Sequence, residues 1–144
     1  MEVRDAATGG LLRTIPVSPP DPDRVVADVT SDASRLIIGG AEDGKAQIWD
    51  TVTGKLLRTL EGHVGAINEL SYSYDDSTIV TGGQDHTVRL WDAQDGHPIR
   101  VLEGCQGPVN LLFFSPDNSR IAAYTDNDRL WIWQVKTGQA IELQ

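Results

Sequence analysis

Three tryptophans, Trp49, Trp91 and Trp133, stand at a constant interval of 42 residues, and Gly54, Gly96 and Gly138 keep the same interval. Ile48, Leu90 and Ile132 repeat it too, as do Glu61-Gly62 and Glu103-Gly104. A period of this length marks one supersecondary unit copied along the chain, and no copy can bury its apolar side chains alone. A partial copy opens the chain: Val3-Arg4-Asp5 with Thr8-Gly9 matches Ile48-Trp49-Asp50 with Thr53-Gly54 at a spacing of 45.

Within one period, short apolar runs alternate with turn residues and nothing has helical spacing. Strands are predicted over 66–73, 78–82, 87–91 and 98–102. Between them lie Tyr74-Asp75-Asp76-Ser77, Gln84-Asp85-His86 and Gln94-Asp95-Gly96, residue types that accept tight or left-handed backbone. Period-two geometry puts Val88 and Leu90 on one face and Arg89 and Trp91 on the other. A four-stranded unit of this kind has two faces to bury and needs a neighbour on each side.

Twelve basic residues against 21 acidic give a net charge of −9, a field that repels phosphate and argues against a nucleic-acid partner. Cys105, the single cysteine, has no partner for an internal disulfide and no metal-ligand spacing, so it reads as a small buried or half-buried side chain. Apolar stretches are far shorter than the roughly 20 residues that cross a bilayer, and Met1-Glu2-Val3-Arg4-Asp5 opens no signal peptide. A cytoplasmic setting without membrane contact is expected. The acidic pairs Asp21 and Asp23, Asp75 and Asp76, and Asp126 and Asp128 lack the glycine and distant glutamate of a calcium loop, so no metal is expected. The paired glycines at 9 and 10, 39 and 40, and 82 and 83 lack the lysine and helix of a phosphate loop, so no nucleotide cofactor is expected either. His86 and His97 fall in turns and read as exposed.

Gly62-His63, Thr81-Gly82-Gly83-Gln84-Asp85 and Val88-Arg89-Leu90-Trp91-Asp92 follow one another in the second period. From Val3 to the end, the chain resembles the WD-repeat β-propeller family, in which these motifs recur in this order. The resemblance implies an all-β partial propeller of about three and a half four-stranded antiparallel blades. Residues 1–15 would be the last two strands of one blade, followed by blades at 16–60, 61–102 and 103–144. It also implies a buried hydrogen-bonded set of His63, Thr81, Asp85 and Trp91. The chemistry suits that role: an indole only donates, a carboxylate only accepts, and hydroxyl and neutral imidazole do both. The same residue types could form a nucleophile, base and orienting acid, but a hydroxyl engaged by Trp91 lacks open access and an oxyanion site.

The other copies depart from the pattern. In the third, Cys105 replaces His63, Ala123 replaces Thr81, Asn127 replaces Asp85, and Gln134 follows Trp133. In the first, the segment 16–23 stands in place of the usual histidine link, and one extra residue near Ala41 puts Ile38 at the hydroxyl position. One stapled blade between two that rely on apolar packing is therefore expected.

For function, the resemblance implies protein interaction and no catalysis. The positions that correspond to the family's top-face contacts are Glu42 in the first copy, Ala66, Asn68 and Gln84 in the second, and Pro108, Asn110 and Asp126 in the third. Expected partners are other proteins or peptides, with a basic segment suiting the acidic surface. The alternative is a sensor or regulatory segment of a larger signalling protein, a nucleotide-dependent switch or a kinase, whose catalytic part lies outside this chain. Two strands followed by three sets of four do not close a ring, so self-association or further blades from the same parent chain are expected.

Overall fold

The computed structural model describes residues 2–4, 6–16 and 24–143, leaving Met1, Asp5, residues 17–23 and Gln144 outside the described part. Every described element is a strand. The first sheet pairs β1 (Glu2–Arg4) with β2 (Leu11–Thr14). The second holds β3 (Val26–Val29), β4 (Arg35–Gly39), β5 (Lys45–Asp50) and β6 (Leu56–Glu61). The third holds β7 (Ile67–Tyr72), β8 (Thr78–Gly83), β9 (Val88–Asp92) and β10 (Pro98–Leu102). The fourth holds β11 (Val109–Phe114), β12 (Arg120–Thr125), β13 (Leu130–Gln134) and β14 (Ala140–Leu143). Each is an antiparallel meander in chain order, and the sheets are open, as in a partial propeller. Among the described residues, no helix is long and apolar enough to cross a membrane.

Short strands give each sheet too few apolar residues for a core of its own, so the core forms between sheets. Ile37, Ala46, Ile48 and Leu60 of the second sheet pack on Leu70, Tyr72, Ile79 and Trp91 of the third. Val80, Val88, Leu90 and Leu102, on the third sheet's other face, pack on Leu112, Phe114, Ile121 and Trp133 of the fourth. Strand alternation thus sends Leu90 to one neighbour and Trp91 to the other. Each such Leu or Ile contributes about 1.5–3 kcal/mol on burial. Gly82 permits the approach of the third and fourth sheets, since a Cβ there would lie 2.5 Å from Val109 Cγ1 and 2.6 Å from Leu112 Cδ2.

Polar links between successive sheets also repeat. Arg13 donates to the Thr53 carbonyl at 2.8 Å, Arg58 to that of Asp95 at 3.0 Å, and Arg100 to that of Thr137 at 3.3 Å. These arginines sit opposite Val3, Ile48 and Leu90, whereas Ile141 stands opposite Ile132, so the fourth sheet has no arginine at this position.

The two ends of the stack differ. Arg4, in the register position of Trp49 and Trp91, makes a 2.7 Å ion pair with Glu2 and turns a polar face outward. A cleft of about 700 Å³ separates β1–β2 from the second sheet, lined by Val3, Leu12, Val29, Leu36 and Val52 among others. Its effect shows at the last residue of each inner strand: Val29 is 47% exposed where a two-stranded sheet precedes it, and Tyr72 and Phe114 are 6% and 4% exposed where a full sheet does. At the other end, Leu111 and Phe113 are 55% and 56% exposed on the fourth sheet's outward face.

Candidate functional site

The turn after β8 and the segment before β7 converge on the interior of the third sheet. Trp91 Nε1 donates to Thr81 Oγ1 at 2.9 Å, Thr81 Oγ1 lies 2.8 Å from His63 Nε2, and His63 Nδ1 lies 2.9 Å from Asp85 Oδ1. Burial of the imidazole, the largest influence on it, holds the His63 pKa below its ordinary value despite the opposing pull of Asp85. Neutral imidazole leaves one consistent proton order. Trp91 donates to Thr81, Thr81 to His63 Nε2, and His63 Nδ1–H to Asp85.

Asp85 terminates the chain of donors. Burial alone would raise its pKa, yet hydrogen bonds from Thr87, His63 and the Val64 amide together hold it below the ordinary carboxylate value. The Thr87 hydroxyl donates to Asp85 at 2.7 Å, the Val64 N–H donates at 3.0 Å, and Arg89 Nη2 lies 3.8 Å away. Thr87 is thus a fifth member that the motif spacing does not name. Its signal is local: a hydroxyl two residues after a turn aspartate closes back on the carboxylate. Thr81 is fully buried between Trp91 and His63, so it presents no nucleophile to solvent.

The corresponding indoles elsewhere lack this arrangement. Ile38 sits opposite Gln47 and Ala123 opposite Trp131, the places that Thr81 takes opposite Arg89. Neither side chain can accept a hydrogen bond, and Trp49 Nε1 and Trp133 Nε1 are buried without a partner among the described residues. Each such orphan costs about 1–3 kcal/mol. Cys105, where the third copy would have its histidine, is buried, and desolvation pushes its thiol up to about 11.

The remaining sequence-named positions gather along one rim, at the start of the inner strands and at the β4–β5, β8–β9 and β12–β13 turns. Gln84 N–H donates to the Ala66 carbonyl at 3.0 Å and Asp126 N–H to that of Pro108 at 3.1 Å, so the same turn bond recurs in two sheets. Ala66 is 1% exposed and joins the rim through its backbone alone. Asn68 spans two sheets, donating to the Val109 carbonyl at 3.0 Å. Glu42, Asn110 and Asp126 are exposed, while Asn68, Gln84 and Pro108 are half-buried. Glu42 pairs with Arg24 at 2.6 Å, a contact that motif matching does not reveal.

The WD domain, G-beta repeat family matches residues 54–92 and 96–134, together more than half of the chain. The chain is 32% identical over 69 residues to Protein ROOT INITIATION DEFECTIVE 3 of Arabidopsis thaliana, covering 48% of this chain and 15% of that protein. It is 45% identical over 38 residues to GID complex subunit 7 of Schizosaccharomyces pombe, covering 26% of this chain and 8% of that protein. Nuclear distribution protein PAC1-2 of Uncinocarpus reesii is 35% identical over 49 residues, 34% of this chain and 11% of its own length. The chain therefore spans only a small fraction of these relatives. With repeat matches that cover β6–β9 and β10–β13 and the Trp91–Thr81–His63–Asp85 arrangement in the third sheet, this chain belongs to the WD40 repeat family.

Proposed function

We propose that this chain is a rigid section of a protein-interaction scaffold, and that its contact surface is the rim carrying Glu42, Asn68, Gln84, Pro108, Asn110 and Asp126. One observation carries the reading: these side chains stand on strand ends and turns that backbone hydrogen bonds hold in place, so little conformational freedom is lost on binding. The acidic Glu42 and Asp126 and the net charge of −9 favour a partner segment rich in Lys or Arg. One similar protein is by its name a subunit of the GID complex, which supports membership of a multiprotein assembly. Catalysis by the propeller itself has no support from the His63 relay, whose hydroxyl is closed in. The apolar outward face of β11–β13 takes a further blade, because Ala122, Leu130 and Ile132 there repeat the positions that Val80, Val88 and Leu90 use to meet the next sheet.

The test is quantitative cross-linking in the native cell with the chain in its natural context. Substituting Gln84, Asn110 and Asp126 together with Ala is expected to remove the rim's partner while lowering the thermal midpoint by only a few degrees, about 1 kcal/mol in all, part of it from the Ala66 N–H losing its Gln84 acceptor. Unchanged partner recovery from the triple variant would reject this face.

A further inference from the structure

At the end of the strands opposite the rim, the turns that join each inner pair lean on one another. Ser31 donates its N–H and its hydroxyl to the Asp76 carboxylate, and the Tyr74 N–H donates to Asn118 Oδ1 at 2.8 Å. Ala33, Asp76 and Asn118 hold equivalent left-handed positions, with φ of 56°, 59° and 57°. Beside this ladder opens a pocket of about 310 Å³, whose lining includes Asp28, Ser71, Tyr72, Tyr74, Asp76 and Phe113.

Asp28 accepts the Tyr72 N–H at 2.8 Å and the Ser71 hydroxyl at 3.2 Å. Among the described residues, neither Asp28 nor Asp76 has an ion-pair partner. Two carboxylates thus share one pocket with neutral donors and, among the described residues, no ion-pair partner. Arg35, the cation that acts on Tyr72, directs its guanidinium to the Ala93 carbonyl at 2.9 Å. Tyr72 forms part of the wall and is 6% exposed, and its hydroxyl has no hydrogen-bond partner among the described residues. Tyr74 stands exposed in the lining, with Phe113 also contributing to it.

We propose that this pocket takes the alkylammonium of a lysine side chain from a partner protein. The carboxylates of Asp28 and Asp76 supply the opposite charge, Ser71 supplies a hydroxyl oxygen, and the rings of Tyr74 and Phe113 cover the aliphatic stem and face the cation. The site lies at the far end of the strands from the rim, so it stands or falls separately from the rim's partner.

Asp76→Asn isolates the charge. Asn118 already accepts a turn N–H from the same left-handed position, so an amide at 76 keeps the Ser31 link while the charge is lost. The probe is a capped Gly-Ser-Lys-Ser-Gly peptide, titrated into the full chain and followed by amide chemical shifts, with norleucine in place of lysine as control. The expected result is saturable shifts at Ser71, Tyr72 and Tyr74 with lysine alone, about tenfold weaker binding to Asp76→Asn, and weakening with added salt. Equal binding of the norleucine peptide, or unchanged lysine affinity in a natively folded Asp76→Asn, would overturn the proposal. Should that variant lose its native spectrum, Tyr74→Ala at the exposed ring takes its place. Affinity that then changes neither with the ring nor with salt overturns the proposal equally.

Discussion

Thr81 Oγ1 receives the indole N–H of Trp91 at 2.9 Å, whereas the two indoles at the matching place, in Trp49 and Trp133, have Ile38 and Ala123 at the position of Thr81 and find no acceptor among the described residues. One hydroxyl therefore separates a satisfied buried relay from two orphaned donors. Thr81→Val, nearly isosteric, leaves Trp91 N–H and His63 Nε2 without their partner. It is expected to cost about 2 kcal/mol, read in urea unfolding followed by tryptophan fluorescence. A loss below about 0.5 kcal/mol would mean that the relay adds no stability.

The converse substitution restores an acceptor. Ala123→Ser puts a hydroxyl at Thr81's register position in the fourth sheet, with the smallest added volume at a fully buried site. A gain of about 1 kcal/mol is expected from satisfying Trp133 N–H, and a clear loss would show that packing around Ala123 outweighs the hydrogen bond.

Acid weakens the third sheet through its relay. In the unfolded chain His63 takes a proton as pH falls through its ordinary 6.5, while burial keeps it neutral to lower pH in the fold. The unfolded state then binds more protons, so stability is fully present above 6.5 and falls as pH drops below it. Asp85, also held below its ordinary 3.8, adds a second decline at lower pH, as protonation removes its acceptors. Comparing thermal midpoints at pH 7.5 and 5.5, the wild type is expected to lose more than His63→Gln, and equal losses would refute this assignment.

Gly82 is a test of sheet contact. A methyl group there meets Val109 and Leu112 well inside van der Waals distance, so Gly82→Ala forces the third and fourth sheets apart. Overpacking of this kind costs about 1–3 kcal/mol or more. Gly9→Ala, whose Cβ meets nothing within 4 Å at a φ of +69°, is expected to cost only the backbone strain, near 1 kcal/mol. Calorimetric midpoints for the pair should differ in that order.

The outward face of the fourth sheet predicts concentration-dependent behaviour. With Leu111 and Phe113 exposed, the isolated chain is expected to associate in sedimentation velocity, and Leu111→Lys to reduce that association. A monodisperse wild-type monomer at high concentration would contradict the covering blade.

Much of this architecture is readable before any coordinates. The tryptophan interval and the turn residues mark four strands per unit, because a pleated strand must alternate its faces and a tight turn must tolerate left-handed backbone. Asp76 and Asn118 show the latter at φ near 60°. The cluster around His63 is also nameable from residue types, since each donor has one class of acceptor to meet. Thr87, the Arg24–Glu42 pair and the arginine links between sheets are not, because their partners are mostly carbonyls or side chains with no fixed motif spacing.

By itself, then, the order of residues determined that the chain forms short antiparallel sheets in series and which side chains each sheet turns toward its neighbours, since period-two alternation and turn chemistry are local. Only the tertiary structure decided that Ala66 offers backbone and no accessible side chain, that Asn68 reaches across to the Val109 carbonyl, and that Asp28 and Asp76 come together beside Tyr72. Those outcomes depend on distances between residues some 40 positions apart, and such distances are set by how whole sheets pack rather than by any stretch of sequence.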